Sequence, residues 1–281
     1  MRLPYYIIPK LNNLTNCEMT LYLWLCERQN NLGVVKGVTV GELKPIMSKQ
    51  SFYNAVKGLY NKELIYKNHH KDTHDYDIGL WQKRDVDEGE KGYINLHNQL
   101  FQSEDFKKLN SKEKYLLFCF YKQTSVTISS SGSKAVRKID KKEFYDKYIE
   151  ILQRTERRIR EYLHSLKKFF NISWRKEENN KIYYIGRNRN TYRLDKKMPG
   201  TGVSIHRKYY IKSMIRRYQL KGIKDKFISD VVKLYRNYIK NFSEYEIDRC
   251  MEKAIAQHAK DNNQTASAAR VHTFLREELG F

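Results

Sequence analysis

Between positions 154 and 160 the chain reads Arg-Thr-Glu-Arg-Arg-Ile-Arg. Guanidiniums packed this densely are rigid, permanently charged forks that match a phosphate group or the outer edge of guanine. Arg154, Thr155, Arg157, Arg158 and Arg160 are therefore candidates for gripping a polyanion. A milder set stands at Lys49, Gln50, Ser51, Tyr53, Asn54 and Lys57. The amides of Gln50 and Asn54 suit paired contacts with adenine, and Lys49 and Lys57 suit phosphate or guanine. Further cations follow each set: Lys67 and Lys71 after the first, then Arg175, Lys176, Arg187, Arg189 and Arg193 after the second. The 187–193 stretch reads as minor-groove or backbone contact, or as plain linker. The alternative for every set is a solvated face, as charge runs usually are, and the first set could also be a dimerisation surface.

The overall charge agrees with a polyanionic partner. Lys and Arg number 54 against 32 Asp and Glu, a formal net charge of +22. A composition rich in Lys, Asn, Ile and Tyr inflates lysine, but the same bias should inflate the acids, and they do not keep pace. The excess is uneven: about +4 over residues 1–85, +11 over 86–200 and +7 over 201–281.

Catalytic patterns are absent from the sequence. It has no phosphate-binding G-x-x-x-x-G-K-[ST] loop, no G-x-G-x-x-G, no H-E-x-x-H and no G-x-S-x-G. His69, His70 and His74 have no carboxylate or cysteine at a spacing that completes a metal site. His206-Arg207-Lys208-Tyr209-Tyr210 holds recombinase residue types, but neighbours on one helix cannot all face one phosphate. The expectation is a non-enzyme without cofactor or metal. Cys17, Cys26, Cys119 and Cys250 contain no C-x-x-C pair and read as reduced, small hydrophobes of a cytoplasmic protein. The N-terminus lacks an apolar signal core, and no stretch reaches membrane length.

The elements that must carry these side chains repeat. Tyr22-Leu23-Trp24-Leu25-Cys26 returns as Tyr115-Leu116-Leu117-Phe118-Cys119, and Lys49-Gln50-Ser51 before Leu59 returns as Gln153-Arg154-Thr155 before Leu163. Helix periodicity predicts a first helix from an Asn16 cap to about 30, a strand at 38–40, a short helix at 41–47 and a third helix opened by Ser48. Paired strands at 64–66 and 76–81 follow. The second copy begins with a strand at 93–96. Helices follow at about 110–122, 141–148 and 153–169, and then strands at 172–174 and 181–185. Its extra length is a Ser/Thr-rich loop at 124–133. This order is that of a winged helix, whose third helix enters the major groove while the hairpin touches backbone. The predicted fold is α+β and mostly helical. Two tandem winged-helix (helix-turn-helix) domains at 1–84 and 92–198, separated by an acidic linker at 85–91, precede a C-terminal helical domain at 203–281. That last part should hold four helices, with a capping box at Ser243-x-x-Glu246.

Tyr93-Ile94-Asn95-Leu96-His97-Asn98-Gln99-Leu100-Phe101, continued by Phe106-Lys107-Lys108-Leu109-Asn110-Ser111-Lys112-Glu113-Lys114-Tyr115-Leu116-Leu117-Phe118, resembles the start of the winged-helix domain of plasmid and phage replication initiators. The helical end is loosely similar to the tails of DnaD-like replisome organisers. The resemblance implies binding to repeated origin sites in double-stranded DNA and recruitment of host replication proteins, with the C-terminal helices as the docking element or a homodimer contact. A transcription regulator or centromere-binding partition protein has the same sequence features. A protein-interaction adaptor with a basic surface is the reading from another class.

Overall fold

The computed structural model describes residues 2–30, 32–81, 92–96, 100–101, 103–125, 136–178, 180–188, 201–220, 223–260 and 267–280. The protein is α+β, with small antiparallel sheets among many helices. It folds as two compact units that cut across the three expected segments. One unit joins Met1–Cys26 to Arg84–Lys197, and the other joins Glu27–Lys83 to Met198–Phe281. The breaks near 84 and 198 lie close to expected boundaries, but each unit is built from two separated stretches of chain.

In the first unit, strand β1 (Arg2–Pro4) pairs antiparallel with β5 (Tyr93–Asn95), Leu3 opposite Ile94. The chain then turns through a 3-10 segment (Tyr5–Ile7) into helix α1 (Ile8–Leu11), and Tyr5 N donates to the Gly92 carbonyl. Helix α2 (Asn16–Arg28) starts in this unit. Its cap is Thr15, not Asn16: Glu18 N donates to Thr15 Oγ1 and Thr15 N to Glu18 Oε2. A carboxylate three residues on closes this reciprocal box, and Asn16 Oδ1 is left to accept from Ser111 N at 2.7 Å. Helix α5 (Glu104–Lys108) leads to α6 (Ser111–Ser125), where Asn110 and Glu113 form the same reciprocal box.

Strand β6 (Val136–Asp140), helices α7 (Lys141–Leu152) and α8 (Glu156–Leu166), and strands β7 (Phe170–Glu177) and β8 (Asn180–Arg187) complete this unit. The sheet order is β6-β8-β7. Phe120, Phe144, Tyr148, Phe170 and Tyr183 meet mostly edge-to-face behind it, Phe120 and Phe170 at 5.4 Å and 90°. Such pairs add about 0.5–1.5 kcal/mol each beyond area burial.

In the second unit, β2 (Val34–Val38), α3 (Val40–Leu43), α4 (Lys49–Asn61), β3 (Ile65–His70) and β4 (Asp75–Leu80) repeat that element order, with sheet order β2-β4-β3. Strand β2 lies earlier than the expected 38–40, because Gly37 takes φ +69° and shifts the register between Val35 and Val38. Four helices follow: α9 (Thr201–Arg217), α10 (Asp225–Tyr238), α11 (Glu244–Lys260) and α12 (Ala268–Leu279). Their shared core includes Tyr210, Met214, Val231, Tyr235, Ile247, Met251, Ile255, Val271 and Leu275. The Ser243/Glu246 capping box is present. Helix α9 also binds the sheet: Arg217 Nη2 lies 2.7 Å from Asp77 Oδ1, and Asp77 accepts from Gly37 N and contacts His70 Nε2. These partners hold the Asp77 carboxyl below its usual range despite its burial. The linker at 85–91, the core of the Ser/Thr-rich loop (126–133), Arg189 and Arg193 lie outside the described residues.

Candidate nucleic-acid interface

Helix α8 begins at Glu156, three residues later than the expected 153. Gln153 is left-handed (φ 51°) and closes α7, while Thr155 caps α8 by accepting from Arg158 N. Arg154 and Thr155 therefore belong to the turn before the helix, Thr155 with its oxygen engaged as a cap and Arg154 donating to the Gln153 carbonyl. The inner face buries Ile159, Tyr162, Leu163 and Leu166, as the spacing requires. The outer face carries Arg157, Arg158 and Arg160, whose side chains are 90, 59 and 65% exposed.

These arginines are not alone on that face. Arg158 meets Glu161 at 2.5 Å, Arg157 meets it at 3.6 Å, and Arg160 meets Glu156 at 2.8 Å. Exposed pairs of this kind contribute about 0–1 kcal/mol, so a phosphate can displace the carboxylates at small cost. The nearby Tyr145 hydroxyl also favours the charged form of Arg160, after the Glu156 carboxylate. Tyr145 in turn meets Tyr183 of β8, hydroxyl to hydroxyl at 2.9 Å. The helix is thereby joined to the β7–β8 hairpin, whose Arg175 and Lys176 are exposed. Burial pushes the Tyr183 hydroxyl up, with the Tyr145 bond adding to it, so it stays protonated.

Compared with protein-family models, curated proteins and solved structures, the chain matches none. The reading of this surface rests on its own geometry.

Reasoning from the sequence missed three hairpin residues, Trp174, Lys181 and Tyr184, and Lys138 on the neighbouring strand β6. Trp174 is 55% exposed, and Lys181 Nζ lies 5.5 Å from its ring centre. Tyr184 lies under both Arg175 (5.5 Å) and Lys138 of β6 (5.1 Å). The signal was available in the alternation of β7, where Trp174 sits next to Arg175 and Lys176. Strand β6 itself was not expected, because its three exposed residues Val136, Arg137 and Lys138 give no apolar alternation. Arg187 departs from its expected surface role. It donates to Thr124 Oγ1 and the Tyr121 carbonyl, both at 2.9 Å, and stacks 5.0 Å over Tyr121. The last turn of α6 has carbonyls to satisfy, and a half-buried guanidinium meets that need.

The second unit presents its own set. Ser48 caps α4 by accepting from Ser51 N, and Phe52, Ala55, Val56 and Leu59 face inward. Lys49, Gln50, Asn54 and Lys57 are exposed, Ser51 is half-buried, and Tyr53 is 37% exposed. Gln50 Nε2 donates to Asn54 Oδ1 at 3.0 Å, so the two amides are already aligned along one face. From β3, the exposed Lys67 reaches to 5.3 Å over the Tyr60 ring, and exposed Lys71 lies in the turn that follows. His69 stacks on Tyr76 and His70 pairs with Asp77. Among the described residues no group of His, Cys, Asp and Glu could hold a metal ion, and no helix is long and apolar enough to cross a membrane.

Proposed function

We propose that this chain is a non-enzymatic, sequence-specific double-stranded DNA-binding protein that uses two winged-helix modules. The observation that carries this reading is the outward row of Arg157, Arg158 and Arg160 on α8. It is joined through Tyr145 and Tyr183 to a hairpin bearing Arg175 and Lys176. A helix supported from behind by an aromatic core and flanked by a basic hairpin fits a major groove with adjacent phosphates. The matching element order β2–β4 with α3 and α4 supports a second reader with an adenine-suited face at Gln50 and Asn54.

The biological role we favour is initiation of replication for a plasmid or other mobile element, acting in the cytoplasm at origin repeats. It rests on the resemblance of residues 93–118 to initiator domains. The α9–α12 bundle is then the docking element for host replication proteins or for a second copy. Promoter or centromere binding uses the same surface.

The test is binding to a duplex of about 20 base pairs, two helical turns, over a salt series. The wild-type chain should lose orders of magnitude in affinity between low and moderate salt while preferring one site. Arg154→Ala/Arg157→Ala/Arg158→Ala should weaken binding about 100-fold or more and flatten the salt slope by about three. Arg160 is left intact to keep its interactions with Glu156 and Tyr145. Binding of the triple variant at wild-type strength would refute the reading.

A further inference from the structure

Along one face of β7 the side chains pass from Phe170, fully buried, to Ile172, half-buried, to Trp174, 55% exposed, and then to exposed Lys176. Alternate residues share a face, so the hairpin starts on the aromatic core and runs off it. Trp174 stands at the point of departure. Its cross-strand partner is Tyr183, whose hydroxyl meets that of Tyr145, the group that interacts with Arg160 of α8. The exposed indole is therefore continuous with the arginine-bearing helix.

Its surroundings match one kind of partner. Lys181 lies 5.5 Å from the indole, Lys176 follows on the same face, and Arg175 and Lys138 bracket Tyr184 on the opposite face. A wide apolar ring inside a fence of cations is poorly suited to an apolar protein patch, because the ammonium groups would have to be desolvated with it. It suits a polyanion that offers flat apolar faces between its charges, which is the make-up of nucleic acid. We infer that Trp174 is a base-contacting wedge, entering the minor groove of duplex DNA while the cations beside it hold the flanking phosphates. This inference rests on the proposed DNA reading and adds to it. The hairpin would unstack a base step as well as touch backbone, and flexible pyrimidine–purine steps would be favoured at that position.

Tryptophan fluorescence of the full chain tests it, because Trp24 is buried and Trp81 is half-buried. An AT-rich duplex of about 20 base pairs should quench the wild-type emission, and Trp174→Phe should abolish that quenching. Trp174→Ala should weaken duplex binding about tenfold or more without changing the salt slope, since no phosphate contact is lost. End-labelled duplex should report a bend with the wild type and a smaller one with Trp174→Ala. If the duplex binds in an arginine-dependent way while the emission and the Trp174→Ala affinity stay unchanged, the wedge is refuted and the DNA reading stands. Quenching that is stronger with the separated single strand than with the duplex would also overturn it. If no duplex binds at all, the DNA reading falls and takes this inference with it. Should Trp174→Ala prove unfolded, the Trp174→Phe emission decides.

Discussion

Helices α4 and α8 occupy equivalent places in two copies of one element order, yet they arm their outer faces differently. Ser48 and Thr155, the two caps, lie 107 residues apart, as do the buried pairs Phe52/Ile159, Val56/Leu163 and Leu59/Leu166. In that register Lys49 corresponds to Glu156, Gln50 to Arg157, Tyr53 to Arg160, Asn54 to Glu161 and Lys57 to His164. Helix α4 carries two lysines and no acid, a charge of +2, whereas α8 carries three arginines and two glutamates, +1 with histidine neutral. The copy with more cations thus has the smaller net charge. Its guanidiniums are pre-aligned by the carboxylates that partly neutralise them, which favours geometric selection, and α4 offers looser charge beside two amides.

The largest effects test whether the two copies share a core logic. Phe52→Ala and Phe144→Ala each empty a fully buried aromatic site and should each cost about 3–5 kcal/mol, read from urea midpoints. A near-neutral result in one copy would show that its core collapses where the other does not. Next comes binding. Lys49→Ala/Lys57→Ala should reduce the salt slope by about two, whereas Gln50→Ala/Asn54→Ala should relax site preference and leave the slope alone. Equal slopes in both variants would contradict the assignment of roles within α4.

Acidity separates the units in a third way. In the second unit burial lifts Asp248 to about 6, against Tyr235 and Lys36, and Glu42 to about 7, against Arg216 and Arg28. Both folded values exceed the unfolded ones. Their contribution is therefore full below about pH 4 and is lost as pH rises through 6 and 7. For the buried Asp248 this is on the order of 2–3 kcal/mol. Asp77 has the opposite sign, its contribution being lost only as pH falls below the ordinary carboxylate range. Denaturation at pH 5 and 7.5 should show the loss in the wild type and a flatter profile in Asp248→Asn. The smallest effect belongs to α8. Glu156→Gln/Glu161→Gln should tighten duplex binding a few-fold at low salt by freeing the arginines, in keeping with the modest strength of exposed pairs. Weakened binding would show that the alignment they provide outweighs the charge they cancel.

The repeat, the two hairpins and the four C-terminal helices were legible in the sequence, because each depends on local periodicity. The register of the repeat was not. Pairing Ser51 with Thr155 instead of Ser48 with Thr155 slips the alignment by three residues, which is nearly one helical turn and leaves the apolar spacing almost unchanged. Ion pairs on α8 were readable from the i, i+3 and i, i+4 spacings of Glu156 and Glu161 to the arginines around them. Arg187 and β6 depend on partners far along the chain, and no local pattern reveals those.

The pairing of β1 with β5 has a consequence for how the molecule is made. Leu3 must wait until Ile94 has left the ribosome, roughly 5–20 s at ordinary rates of synthesis. The second unit waits longer still, since Glu27–Lys83 is completed only by residues after 198. The first unit therefore closes over a chain that is still growing, and a pause before residue 201 would leave β2 without the α9 helix that packs on it.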